Sequence, residues 1–127
     1  IVCAQVGNVN TGACDPLVEI GELTRENGAW LHIDGAFGLW AAATPERRSL
    51  VDGLAEADSW TTDNHKWLNV PYDSGVVLIR DRVAHRAAMT LGAEYYVETK
   101  GGEPEHPAWY QARTERRIPV LLASPVE

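Results

Sequence analysis

Two side chains of opposite chemistry stand 32 positions apart, Asp34 and Lys66 (66 − 34 = 32). Lys66 lies in Asp63-Asn64-His65-Lys66-Trp67, directly after the β-branched and aromatic run Trp60-Thr61-Thr62. Asp63-Asn64 breaks that predicted strand. The lysine therefore stands just past a strand end, where α/β enzymes place their chemistry. Trp67 and Leu68 follow it and predict apolar surroundings for the amine. A lysine so placed is suited to forming a Schiff base with a carbonyl. The alternative is a solvated loop lysine, since Lys is rarely buried.

Asp34 ends the stretch Trp30-Leu31-His32-Ile33-Asp34-Gly35-Ala36-Phe37-Gly38. Strand alternation puts Trp30, His32 and Asp34 on one face and Leu31, Ile33 and Gly35 on the other. An acid at the end of an apolar strand is costly without a partner. A protonated pyridine nitrogen is one such partner, and it is the one an Asp supplies with a counter-charge in pyridoxal phosphate enzymes. Gly35, Ala36 and Gly38 are small enough for a flat ring to approach the backbone. A helix N-cap or a turn is the plainer role for Asp34.

Together these stretches resemble the group II pyridoxal-phosphate-dependent decarboxylases, which handle glutamate, aromatic amino acids and related substrates. Three segments carry the likeness: residues 7–16 (GNVNTGACDP), 32–38 (HIDGAFG) and 62–75 (TDNHKWLNVPYDSG). The third is highly specific. The likeness runs from about Ile1 to Met89 and weakens beyond. It implies an α/β fold, a fragment of the large domain of the aminotransferase-like (fold type I) architecture with a mostly parallel sheet flanked by helices. It also implies that Lys66 forms the Schiff base with pyridoxal 5'-phosphate, that Asp34 pairs with the pyridine nitrogen, that Ala36 packs on the ring and that His65 lies beside the cofactor. Asp63 stands where many relatives have an asparagine, which puts a phosphate contact from that position in doubt. The implied reaction removes the α-carboxylate of an amino acid. Two alternatives stay open: an aminotransferase or carbon–carbon lyase of the same fold, and a non-catalytic remnant kept for dimer contacts.

The chain has 127 residues, 45% of them hydrophobic and 23% charged, as in an ordinary globular protein. A net charge of −7 gives no footprint for nucleic acid or an anionic membrane. Two cysteines, Cys3 and Cys14, are too few for a disulfide framework and show no metal-ligand spacing, so no metal is expected and a reducing cytoplasm fits. The opening Ile1-Val2-Cys3 is in mid-strand. The expectation is one piece, residues 1–127, from the centre of the cofactor-binding domain. The family's phosphate-binding part would precede it and its small domain would follow. A homodimer is implied, and the piece alone would be inactive.

In chain order, strand and helix alternate, which argues for βαβ units. Residues 1–6 predict a strand buried on both faces. In the polar loop 7–12, Asn8 and Asn10 have amides able to reach a ligand or to hold a plain turn. Asp15-Pro16 predicts a helix start with Asp as N-cap, buried through Leu17, Ile20 and Leu23 and stopped at Asn27-Gly28. His32 shares the face of Asp34 and is a candidate to orient it. The apolar loop Leu39-Trp40-Ala41 predicts a wall of the site or a subunit contact. Thr44-Pro45-Glu46 predicts a second helix, solvated at Arg47 and Arg48 and buried at Leu50, Val51 and Leu54. Residues 69–75 are turn chemistry, with Tyr72 and Asp73 as turn residues, feeding the strand 76–79. Asp81-Arg82 starts a short helix through Met89, with Val83 and Ala87 inward. Beyond it, Tyr95-Tyr96-Val97 suggests a short strand or a packed loop, and 98–107 a mobile surface loop flanked by Tyr95, Tyr96 and Tyr110. Arg113, Arg116 and Arg117 suggest a basic face or a carboxylate contact.

Overall fold

The computed structural model describes residues 1–89 and the backbone of Val120–Leu121. The expectations for Tyr95, Tyr96, Tyr110, the 98–107 loop and Arg113, Arg116 and Arg117 lie outside the described residues. The elements are β1 (Val2–Gln5), α1 (Leu17–Glu26), β2 (Leu31–Asp34), β3 (Ser59–Asp63), α2 (Asn64–Trp67), β4 (Gly75–Ile79), α3 (Arg82–Met89) and β5 (Val120–Leu121). They form one sheet in the order β1-β2-β3-β4-β5. Three of its pairings are parallel and one, β3 with β4, is antiparallel. The fold is α/β with a mostly parallel sheet, as the sequence predicts.

Alternation in β2 decides which way the sheet faces. Leu31 and Ile33 are fully buried, while His32 and Asp34 are half-buried on the opposite side. Leu31 and Ile33 join Ala4, Val6, Leu17, Ala41, Val51 and Ala57 in the core, with Cys14, Ile20, Leu54 and Trp60 packed against it. Each of the large core side chains contributes about 1.5–3 kcal/mol by leaving water. The chemistry-bearing side chains are left on the other face and at the strand ends.

Several local expectations are corrected. β1 is not buried on both faces: Val2 and Cys3 are exposed, and β2 is its one partner strand among the described residues. Asp15 is not the cap of α1, because the cap position falls on Pro16 with no side-chain bond. Its carboxylate instead accepts the Gln5 backbone N–H at 2.7 Å. The buried stripe of α1 is Leu17, Gly21 and Thr24, and Leu23 is exposed. The reason is a close approach: a Cβ on Gly21 would lie 2.7 Å from the Cβ of Glu56. Asn27-Gly28 does end α1. At the far end, Asp81 caps α3 through the N–H groups of Val83 and Ala84, but Val83 and Ala87 face outward.

The second predicted helix is absent. Residues 39–56 fold as three short 3₁₀ turns, Leu39–Ala43, Arg48–Val51 and Leu54–Glu56. Thr44 sends its hydroxyl back to the Ala41 carbonyl and so starts no helix forward. Ala41 and Val51 enter the core, but Leu50 is exposed. Gly53 then reverses the chain at φ 87°, with its α-carbon so near α1 that a Cβ would sit 2.5 Å from the Val18 nitrogen. Only glycine fits that combination of positive φ and contact. Gly53→Ala is expected to cost about 2 kcal/mol or more, read as a lower midpoint in urea unfolding of the full-length protein.

Candidate active site

Parallel pairing sets Gln5, Asp34 and Thr61 side by side on β1, β2 and β3. β1 and β2 therefore end level while β3 runs on to Asp63, and the outgoing loops share one end of the sheet. Val6 donates its N–H to the Asp34 carbonyl at 2.9 Å, and Gly38 donates to the Val6 carbonyl at 3.1 Å. Around these bonds the loops after β1 and β2 meet backbone to backbone. A Cβ on Gly38 would lie 2.6 Å from the Val6 carbonyl, and one on Gly7 would lie 2.7 Å from the Gly38 nitrogen. Gly35 is likewise filled, by Leu39 and the Thr61 carbonyl. The small residues expected to admit a flat ring at Gly35 and Gly38 are instead used for packing loop against loop.

Asp34 ends β2 with both oxygens engaged by neutral donors. The Ala36 N–H donates to Oδ1 at 3.0 Å and the Gln5 side-chain amide donates to Oδ2 at 3.2 Å. The first is the turn bond the plainer reading anticipated. The second comes from a residue that sequence reasoning missed. Gln5 is the one polar side chain in an otherwise apolar β1, in register with Asp34, and that was its only signal. Neutral donors leave the carboxylate's charge uncompensated, so it can still take a charge-assisted bond from a cationic N–H.

His32 does not orient Asp34. Its Nδ1 lies 2.8 Å from the Ser59 hydroxyl and its Nε2 3.5 Å from that of Thr61, both on β3. The lateral step to the next strand is shorter than the step along its own. Asn8 is occupied within its loop: Oδ1 accepts from the N–H groups of Asn10 and Thr11, and Nδ2 donates to Gln5 at 2.8 Å. Asn10 is exposed. The geometry favours the turn role for both, with Asn8 supporting Asp34 through Gln5.

Lys66 stands in the single turn α2, just past β3. Its Nζ lies 2.6 Å from Asp63 Oδ2 and 4.0 Å from the centroid of the Phe37 ring. Trp67 and Leu68, expected to surround it, are exposed, and the apolar contact comes from Phe37 in the loop that follows Asp34. Ser74 anchors α2 from across the hairpin. Its carbonyl accepts the Asn64 N–H at 2.9 Å and the His65 Nδ1 at 3.0 Å, and its hydroxyl accepts the Asn64 amide at 3.2 Å. Donation from Nδ1 makes His65 the Nδ1–H tautomer when neutral. The Tyr72 ring covers it at 4.3 Å. Among the described residues, Thr62 Oγ1 and Asn64 Oδ1 are buried here without a hydrogen-bond partner.

The site thus holds a primary amine beside an aromatic face, a carboxylate with no cationic partner among the described residues, and an imidazole of defined tautomer. That donor set fits a molecule with a carbonyl for the amine and a cationic N–H for the carboxylate, as pyridoxal phosphate has. Among the described residues no group of three or more His, Cys, Asp or Glu could hold a metal ion, and no helix is long and apolar enough to cross a membrane.

Comparison with known proteins converges on the same chemistry. A model of the pyridoxal-dependent decarboxylase conserved domain matches residues 1–117. The aromatic-L-amino-acid decarboxylase of Bacillus atrophaeus is 44% identical over 99 residues, covering 78% of this chain and 21% of that protein. The structure of mouse CSAD in its apo form is 35% identical with a TM-score of 0.55, covering 57% of this chain and 15% of that one. The structure of Rhodiola rosea 4-hydroxyphenylacetaldehyde synthase is 42% identical with a TM-score of 0.50, covering 53% and 14%. The chain spans about a fifth of the length of the curated relatives it matches.

The loop contact that aligns Asp34 with Gln5 is open to a direct test. Gly38 has an ordinary negative φ of −97°, so an added methyl group acts through overlap alone. Gly38→Ala is expected to cost about 1–3 kcal/mol, measured as a lowered melting temperature of the full-length protein.

Proposed function

The chain belongs to the pyridoxal-dependent decarboxylases, and from that premise we propose that it carries the lysine centre of a carboxy-lyase acting on an α-amino acid. The observation that carries this reading is the convergence of Asp34 and Lys66 at the ends of neighbouring parallel strands, with Phe37 reaching from the loop of one to the amine of the other.

Pyridoxal phosphate, when bound, supplies a ring that accepts the electron pair left as CO2 departs. Lys66 is the residue whose Nζ would hold the cofactor covalently. Asp34 would face the ring nitrogen as its counter-charge, and Gln5 and the Ala36 N–H hold the carboxylate in place for it. Ala36, two residues after Asp34, would offer the ring a small apolar contact. His65, with Nδ1 committed to Ser74 and Nε2 4.0 Å from Asp63 Oδ2, would turn Nε2 to the substrate carboxylate or the cofactor. Asn8, Asn10 and His32 act through the loops and strand that carry these groups. Residues 1–127 are the central part of the cofactor-binding large domain, and the full-length protein works as a cytoplasmic homodimer.

The test uses the full-length protein with pyridoxal phosphate and a panel of aromatic, acidic and basic amino acids, following CO2 and amine together. Equal amounts of CO2 and amine from one substrate are expected. Keto acid without CO2 would favour an aminotransferase, and an aldehyde in place of the amine would favour chemistry like that of the Rhodiola relative. No bound cofactor would mark a non-catalytic remnant. Lys66→Ala is expected to abolish the yellow colour of the bound cofactor. Asp34→Asn should keep the colour and lower turnover on the order of 100-fold or more. Unchanged colour in the first variant, or unchanged turnover in the second, would overturn the assigned role.

A further inference from the structure

We infer that Asp63 is a positioning residue for Lys66, serving as the fixed counter-charge to its nitrogen when the cofactor is attached. The inference rests on the proposed function, in which that nitrogen carries the cofactor.

Three observations support it. The carboxylate of Asp63 lies 2.6 Å from Nζ, and the two side chains are 34% and 27% exposed. A partly buried pair is screened less than one on the open surface. Next, Asp63 occupies the N-cap position of α2 yet makes no capping bond there. Aspartate is a preferred capping residue, but here its carboxylate is turned from the helix N–H groups to the lysine. Finally, the carboxylate is carried by a rigid element. Asp63 is the last residue of β3 and is paired with Gly75 of β4, next to Ser74, which anchors α2. The sheet therefore sets both ends of the pair.

The consequence follows from charge. An anion this close attracts a positive charge on the nitrogen. Condensation of the lysine ammonium with an aldehyde releases one water and leaves the single positive charge on that nitrogen, so the pair with Asp63 survives the linkage. Phe37 borders the same nitrogen with its ring face, which also favours a cation. Among the described residues, the other titratable groups near this pair are His65 of α2, whose Nε2 is 4.0 Å from Asp63 Oδ2, and Tyr72 against the His65 ring, with Asp34 at the end of the neighbouring strand β2. All three are unaltered in the variants below.

The experiment is a pH titration of the visible absorbance of the full-length protein loaded with pyridoxal phosphate. Asp63→Asn keeps the side-chain shape and removes the charge, so the pH midpoint of the coloured form should fall by about 1 unit or more. Asp63→Glu should return the midpoint toward that of the unaltered protein. If Asp63→Asn does not fold, Asp63→Ser carries the same test with a side chain that can cap α2. A midpoint that stays in place without the charge, or a Glu variant no nearer the unaltered protein than the neutral one, would overturn the inference. Colour in the unaltered protein tests the underlying reading, whereas displacement of its midpoint tests Asp63 alone.

Discussion

The backbone contact between Val6-Gly7 and Gly38 is the constraint on which the site depends. Two parallel strands can end at the same level and still send their loops apart. Here the Val6 and Gly38 peptides bond each other and leave no room for a Cβ at Gly7 or Gly38. The loop after β2 is thereby drawn across the end of β1. It carries Ala36, whose N–H holds Asp34, and Phe37, whose ring meets Lys66. Two glycines thus determine the relation of an acid and an amine that neither of them touches.

Polar bookkeeping explains the rest of the arrangement. Half-buried polar groups need partners, and the site supplies them sideways, from strand to strand. Gln5 of β1 serves Asp34 of β2, and Ser59 and Thr61 of β3 serve His32. Ser74, at the start of the returning strand, holds the turn that carries His65 and Lys66. One antiparallel pairing in an otherwise parallel sheet makes that last arrangement possible. β4 runs back beside β3 and brings Ser74 to the point where the lysine turn begins.

Charge is distributed unevenly across this end of the sheet. Asp34 is held by neutral donors and keeps its capacity for a cation, while Asp63 is committed to one. The two carboxylates are distinguished by what faces them, as acids of one type with separate tasks usually are. Core packing lies on the other side of the sheet, under Leu31 and Ile33. Polar substitutions at the strand ends are thereby separated from the apolar core.

Much of this was legible in the sequence, for stated reasons. Alternation in Leu31-His32-Ile33-Asp34 showed which side chains face the core, because strand periodicity is a local property. The segment 62–75 was specific enough to imply a family, and Lys66 and Asp34 came with it. Contacts between distant segments were not legible. Nothing near His32 says that its partners are Ser59 and Thr61, and nothing near Lys66 says that its apolar neighbour is Phe37. Asp15 and the segment 44–57 satisfied local rules for a cap and a helix, yet tertiary demands overrode both: a bond to Gln5, and the left-handed turn at Gly53 against α1. The sequence alone marked which residues could carry chemistry and which face of β2 is buried, since both depend on side-chain type and short-range period. Only the tertiary structure decided which groups meet, because strand register and glycine-permitted backbone contact are set by the whole sheet.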